Sequence, residues 1–294
     1  MKFLQTLLTL GMMLVMAVGA VPACADTLSA IKARGTLIVG VKKDVPLWGF
    51  TDPTSGEIKG LEPDLAQRVA DHLGVKLQLV GVLTAERNEA VTSGRVDVLI
   101  ATLSDTPERR AAMALVLPHY YASGANLLAR KSEHFTDWSA LRNRRVCGRR
   151  GAFYNRPITV TYGADVIALY SNELTAAALR DGRCSAFLYD DTAIVALLQS
   201  PVWAQDFEMP LKTLHTTPWA MALAPSERGG ALEKALSQLI IGWHRTGALQ
   251  TLEAKWGIPA TPYLQQMNRL WTRKANQPGF CGDAISSSTP QECQ

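Results

Sequence analysis

Residues 96–110 read VDVLIATLSDTPERR, and the join inside this stretch decides the fold. The run VDVLIA has the continuous apolar character of a strand covered on both faces in a parallel sheet. A helix starts soon after it, because Thr106 is a suitable N-cap and Pro107 a favoured first helical residue. A buried strand running within a few residues into a helix is the repeating unit of an α/β domain. The same join carries an oddity. Arg109 and Arg110 stand in the first turn, where the helix dipole favours acidic side chains. Arg109, beside free backbone N–H groups and Ser104, has the donors to grip a carboxylate in a bidentate fork, whereas Arg110 reads as a solvent-facing charge.

Working outward, GTLIVGVKKDVPLWGF is a strand over Thr36–Val41 leading into an aromatic loop. LEPDLAQRVADHLG places apolar residues at 61, 65, 69 and 73 and ends on Gly74, which predicts an amphipathic helix. VKLQLVGV is a strand and AERNEAVTSG a short helix. The alternation restarts with the strands RRVCG, ADVIALYS and CSAFLYDD and the helices NELTAAALRDG and TAIVALLQS. Two α/β units follow, with ANLLARKSEHFTDW and TTPWAMALAP as crossings between them. The expected organisation is a targeting segment over 1–25, the first part of lobe one over 26–128, lobe two over 129–217 and a helical return to lobe one over 218–262. A loop-like tail over 263–294 completes the chain. A cleft between such lobes lies beyond the carboxyl ends of strands, where ATLSDTPERR sits.

Composition narrows the function. The chain has 294 residues, 47% of them hydrophobic, and a net charge of +4. After residue 25 there remain 29 cations and 26 anions, too balanced for a nucleic-acid surface. The first 25 residues combine Lys2, a long apolar run and Ala23-Cys24-Ala25, which predicts an export signal cleaved after Ala25. An uncleaved anchor and lipidation at Cys24 are the alternatives. Cleavage leaves Cys147, Cys184, Cys281 and Cys293, an even set in a disulfide-permissive compartment. Of three formal pairings, Cys147 with Cys184 and Cys281 with Cys293 is expected, since the first two lie in neighbouring strand-like segments and the last two in one tail. No nucleophile elbow, zinc-protease motif or Walker loop occurs, and His72, His119, His134, His215 and His244 show no ligand spacing. No cofactor or metal is expected.

GTLIVGVKKDVPLWGFTDPTSGEIKGLEPDLAQRVADHLGV, SGRVDVLIATLSDTPERR, YYASG and DGRCSAFLYDDTA occur in an order that resembles the periplasmic amino-acid-binding proteins of ABC importers, bacterial extracellular solute-binding protein family 3. The likeness spans roughly residues 30 to 260. It implies a two-lobed periplasmic-binding-protein fold with two hinge crossings and a central ligand cleft, a monomer that hands an amino acid to an ABC permease. By the same resemblance Arg109 and Ser104 hold the ligand α-carboxylate. Thr102 helps receive the α-ammonium, and Asp191 completes that site. Asp191 is preferred to its neighbour Asp190, which points the other way if the strand persists. Arg87 resembles an arginine of acidic-amino-acid binders, and Lys42 or Lys43 stands near another such cation. With Arg109 these exceed the needs of one carboxylate, so glutamate or aspartate is the expected ligand. Trp48 and Phe50 are the expected aromatic wall. Gly151 aligns the second-lobe loop GRRGAFYN, in which Phe153 takes the place of a usual threonine and narrows the pocket. The rival is an enzyme, a lyase similar to cyclohexadienyl dehydratases. It would need a carboxyl of raised pKa in the cleft, with Glu86 or Glu89 as candidates.

Overall fold

The computed structural model describes residues 26–294. The expected signal segment and Cys24 lie outside the described residues. Lobe one begins with α1 (Thr27–Arg34) and β1 (Thr36–Lys42), followed by a small antiparallel sheet of β2 (Asp44–Val45), β3 (Gly49–Thr51) and β4 (Ile58–Lys59). Then come α2 (Leu61–Leu73), β5 (Lys76–Val82), α3 (Arg87–Thr92), β6 (Val98–Ile100), α4 (Pro107–Ala112) and β7 (Ala114–Leu115). With β14 (Ala222–Leu223) from the returning chain, the main sheet has the order β5-β1-β6-β14-β7, in which β1 is parallel to both β5 and β6 and β14 is antiparallel to β6. Leu37, Val39 and Val41 of β1 are fully buried, as are Leu65, Ala66 and Val69 on the face of α2. The apolar spacing of α2 turns that face to the core, and Gly74, in the left-handed conformation, ends the helix.

Lobe two contains β8 (Tyr121–Arg130), β9 (Arg145–Arg149), α5 (Asn155–Tyr162), β10 (Asp165–Leu169), α6 (Asn172–Arg180), β11 (Ala186–Asp190) and α7 (Asp191–Leu198). The segment closes with α8 (Pro201–Ala204), β12 (Phe207–Glu208) and β13 (Leu214–Trp219). Its sheet has the order β10-β9-β11-β8-β12, and β13 also pairs with β8. The chain returns to lobe one through β14, α9 (Ala231–Thr246), α10 (Ala248–Lys255) and α11 (Pro262–Trp271). No helix among the described residues is long and apolar enough to cross a membrane.

The two crossings are β8 and β13, antiparallel neighbours that pair Tyr121 with Trp219 and Ala122 with Pro218. The expected boundary at residue 128 falls inside β8, which is buried without interruption from Tyr121 to Ala129, its polar Ser123 and Asn126 included. Trp48, Tyr121 and Trp219 meet edge-on or tilted at the lobe-one end of the crossings, with centroids 4.5 to 5.5 Å apart.

Two elements depart from expectation. Helix α1 was not anticipated, although Asp26 caps it by accepting from the Ser29 N–H and Gly35 ends it. The tail is not loop-like at its start: α11 is capped by Thr261, has Pro262 in its first turn, and buries Leu264, Met267, Leu270 and Trp271. Met267, Leu270 and Trp271 cluster with Ile241 of α9 and with Cys281 and Cys293. Packing as well as the bridge therefore holds the tail. Cys147 is bonded to Cys184 and Cys281 to Cys293.

Candidate ligand-binding site

The lobe-one wall of the cleft is built at the carboxyl ends of β1, β5 and β6. Thr106 caps α4 by accepting from the Arg109 N–H at 3.3 Å, with Pro107 in the first turn. A helix of six residues has little dipole, so the charge here belongs to the guanidinium. Arg109 donates to the Ser104 carbonyl at 2.6 Å and to the Gly151 carbonyl of lobe two at 3.3 Å. Arg87 donates to the Thr84 and Ala101 carbonyls at 3.0 and 3.1 Å, to the Thr102 carbonyl at 2.5 Å and to the Gly151 carbonyl at 3.4 Å. Among the described residues neither guanidinium forms an ion pair. Burial, and then the neighbouring Arg87, pull Arg109 down to about 9.

Thr102 carries a positive φ of 48°, an unusual conformation for a β-branched residue. Glu62, at the start of α2, holds it there: its carboxyl accepts the Thr102 N–H at 2.6 Å and the Tyr120 hydroxyl at 2.7 Å. The turn aims the Thr102 carbonyl at Arg87. Burial pushes Glu62 up to about 8, against the pull of those two hydrogen bonds.

Lys42, at the end of β1, is fully buried, pairs with Asp44 at 2.9 Å and donates to the Thr84 hydroxyl at 3.0 Å. Burial brings it down to about 8, with Asp44 opposing. Asp44 also reaches lobe two, accepting from Arg149 at 3.0 Å and from the Asn172 N–H at 3.1 Å.

The lobe-two wall comes from the ends of β9 and β11. Asp190, the last residue of β11, is buried; that burial raises its carboxyl to about 7, while Arg87, Lys42 and Arg109 pull the other way. Arg149 is fully buried, and its Nε and Nη1, the Tyr154 hydroxyl and the Tyr189 hydroxyl have no partners among the described residues. Gly151 has φ +83°, and a Cβ there would lie 3.1 Å from both the Ala85 Cα and the Thr84 carbonyl oxygen. Only glycine meets that conformation and that approach of the lobes without strain. Beside it a groove of about 570 Å³ opens, bordered by Pro107, Arg109, Phe153 and Arg156.

A cleft between two such lobes, walled by buried cations and carboxyls, is what a solute-binding protein needs. The pattern of the bacterial extracellular solute-binding proteins, family 3, matches residues 37–259. The chain belongs to that family. The family is one of solute-binding proteins, and this chain is a solute-binding protein rather than the lyase of the alternative reading. Glu86 and Glu89 do not supply its acid either. Glu86, although burial nudges it up, is held below the usual range by the Leu83 N–H and the Tyr170 hydroxyl, and Glu89 is exposed.

Among family 3 relatives, the L-cystine-binding protein TcyJ of Escherichia coli (strain K12) is 30% identical over 239 residues, covering 78% of this chain and 85% of its own. The ABC transporter glutamine-binding protein GlnH of Bacillus subtilis (strain 168) is 25% identical over 236 residues, 79% of this chain and 84% of its own. Among solved structures, the cysteine-binding protein of Campylobacter jejuni matches with a TM-score of 0.69 and 26% identity, over 78% of this chain and 91% of that one. An ArgBP mutant from T. maritima, at 23% identity, shares the fold with a TM-score of 0.71 over 78% and 98% of the two chains.

The structure brings together Lys42, Arg87, Thr102, Ser104, Arg109 and Gly151, with Phe153 at the rim. Arg110 is turned away and pairs with Asp105 at 2.6 Å. Three expectations need correction. Asp191 is committed to the hinge: its carboxylate accepts from Ser123 at 2.6 Å, the Gly124 N–H at 3.2 Å, Thr213 at 2.8 Å and its own neighbour's N–H, that of Thr192, at 2.7 Å. The alternation argument fails because the strand ends at Asp190 and Asp191 opens α7. Trp48 is not a cleft wall but part of the buried aromatic trio under the hinge. Phe50 packs its ring edge-on against Trp256 of lobe one, 6.2 Å away. Sequence reasoning passed over Glu62, Asp44 and Arg149. The run of arginines in CGRRG marks Arg149, but only its position at the end of a buried strand distinguishes it from Arg150.

Proposed function

We propose that the protein binds glutamate or aspartate between its lobes in the periplasm and delivers it to an ABC permease. The observation that carries this reading is a charge imbalance: Arg87 and Arg109 lack carboxylate partners among the described residues, while one buried carboxyl, Asp190, faces them. An α-amino dicarboxylate has the complementary charges. Its α-carboxylate meets Arg109 and Ser104, its ammonium meets Asp190, and its second carboxylate meets Arg87. The proteins of known ligand named above, for cystine, glutamine and cysteine, bind amino acids as well. The export signal expected over residues 1–25 supports the periplasm.

Thermal unfolding against each standard amino acid tests this, because a ligand that binds only the native state raises the melting temperature. Glutamate or aspartate should give the largest rise. Arg87→Ala should remove the response to the acidic pair and leave weak binding of their amides. Stabilisation by neutral amino acids alone would overturn the acidic assignment, and no response to any would overturn the amino-acid reading.

A further inference from the structure

We propose that Asp44 is a resident carboxylate. It extends from lobe one into an anion site of lobe two and occupies it, so that the site fastens the lobes together instead of receiving ligand. The lobe-two half of this site is Arg149 and the first amide of α6. Asp44 Oδ2 accepts from Arg149 Nη2 at 3.0 Å and from the Asn172 N–H at 3.1 Å, while Asp44 Oδ1 lies 2.9 Å from Lys42 Nζ. The Asn172 amide side chain adds a bond of 2.7 Å to the Asp44 carbonyl, so backbone and side chain are both gripped.

Burial makes this more than a surface ion pair. Lys42 and Arg149 are fully buried, and two further Arg149 nitrogens have no partner among the described residues. A desolvated cation of this kind is strongly destabilised when its one carboxylate is taken away. The charges of Lys42 and Arg149 outweigh the burial of Asp44 and keep its carboxyl below the usual range. A cavity of about 270 Å³ adjoins the same side chain, lined by Asp44, Val45 and Pro46 from lobe one and by Asn172, Phe187 and Tyr189 from lobe two. Removal of the Asp44 carboxylate would therefore leave an anion site with room leading to it.

The consequence for selectivity, which rests on the dicarboxylate reading, is that Lys42 and Arg149 are already neutralised in part. The ligand's second carboxylate is left to Arg87. The fastening itself does not depend on that reading, and its test uses no amino acid.

Asp44→Ala is titrated with sodium formate, with sodium chloride as the control, and followed by melting temperature. The wild type should respond to the two salts alike. The variant should melt lower and regain at least about 2 °C with formate over chloride, as expected for a small anion that binds the native state only. Adding Arg149→Met should abolish that gain. A folded Asp44→Ala protein that responds equally to both salts would overturn the proposal. Should Asp44→Ala fail to fold, Asp44→Asn keeps the shape and loses the charge. Small-angle scattering of Asp44→Asn should show a larger radius of gyration than the wild type, and an unchanged radius would equally overturn it. A failed amino-acid screen leaves both readouts standing.

Discussion

The two walls of the cleft are prepared differently. In lobe one the guanidiniums of Arg87 and Arg109 are held by carbonyls of their own lobe, at Thr84, Ala101, Thr102 and Ser104. In lobe two Arg149, Tyr154 and Tyr189 each keep polar atoms without partners among the described residues, and Asp190 is raised by burial. The first wall takes most of its hydrogen bonds from its own lobe, each guanidinium adding one to the Gly151 carbonyl across the cleft. The second draws its partners from across the cleft, Asp44 for Arg149 and, on the proposed reading, the ligand for Asp190, which makes lobe one the surface that captures and lobe two the surface that completes. Such a division is how a ligand shifts the balance between open and closed states: it adds contacts to the second lobe that exist in one state only.

The comparison breaks most visibly at Arg109. Arg109→Ala should weaken binding of every amino acid about a hundredfold or more, ~3 kcal/mol, as expected when one partner of a buried charge pair is truncated; isothermal titration calorimetry reads this directly. The neighbouring acids come next. Asp190→Asn should lower affinity by about tenfold to a hundredfold with a small change in melting temperature. Asp191→Asn should instead lower the melting temperature and leave affinity within about threefold, because its partners are Ser123 and Gly124 of the hinge strand β8, Thr213 just before β13 and its neighbour Thr192. The reverse order would return the ammonium site to Asp191.

A proton should also be linked to binding. Burial lifts Asp190 to about 7, yet an ammonium needs it ionised. Between pH 7 and 6 affinity should fall about fivefold, with a proton released on binding at pH 6. Without ligand the sign is opposite. A carboxyl raised above its unfolded value stabilises the fold fully below about pH 4, and that contribution is lost as pH rises through about 7. Affinity that is flat over this range would remove Asp190 from the site. An effect of similar size is expected at Gly151. Gly151→Ala should weaken binding by about fivefold, ~1 kcal/mol, through the strained φ and the close approach to Thr84 and Ala85.

Both lobes were legible in the sequence because each rests on period and punctuation. The spacing of α2 and the capping of α4 are local properties, and so is the contrast between Arg109 and Arg110. What was not legible depends on where elements stop or what packs across them. One residue separates the cleft carboxyl from the hinge carboxyl, and the choice turns on β11 ending at Asp190 rather than running on. Trp48 and Phe50 have the composition of a ligand wall, but their partners, Tyr121, Trp219 and Trp256, are distant in sequence. Arg149 and Glu62 became visible only through burial. Helix α11 is a different case: the signals at Thr261 and Pro262 and the apolar spacing at 264, 267, 270 and 271 were present, and the serine-rich end of the tail obscured them.

That helix has a practical consequence for anyone turning the protein into a reporter. The family pattern ends at Pro259, which invites a fusion joint there. Cutting at that point would strip α11 and the bridged loop from α9 and bare Ile241, now 1% exposed. An uncovered apolar stripe of that kind favours aggregation. A fluorescent partner should be joined beyond Gln294, where the tail keeps its grip on lobe one.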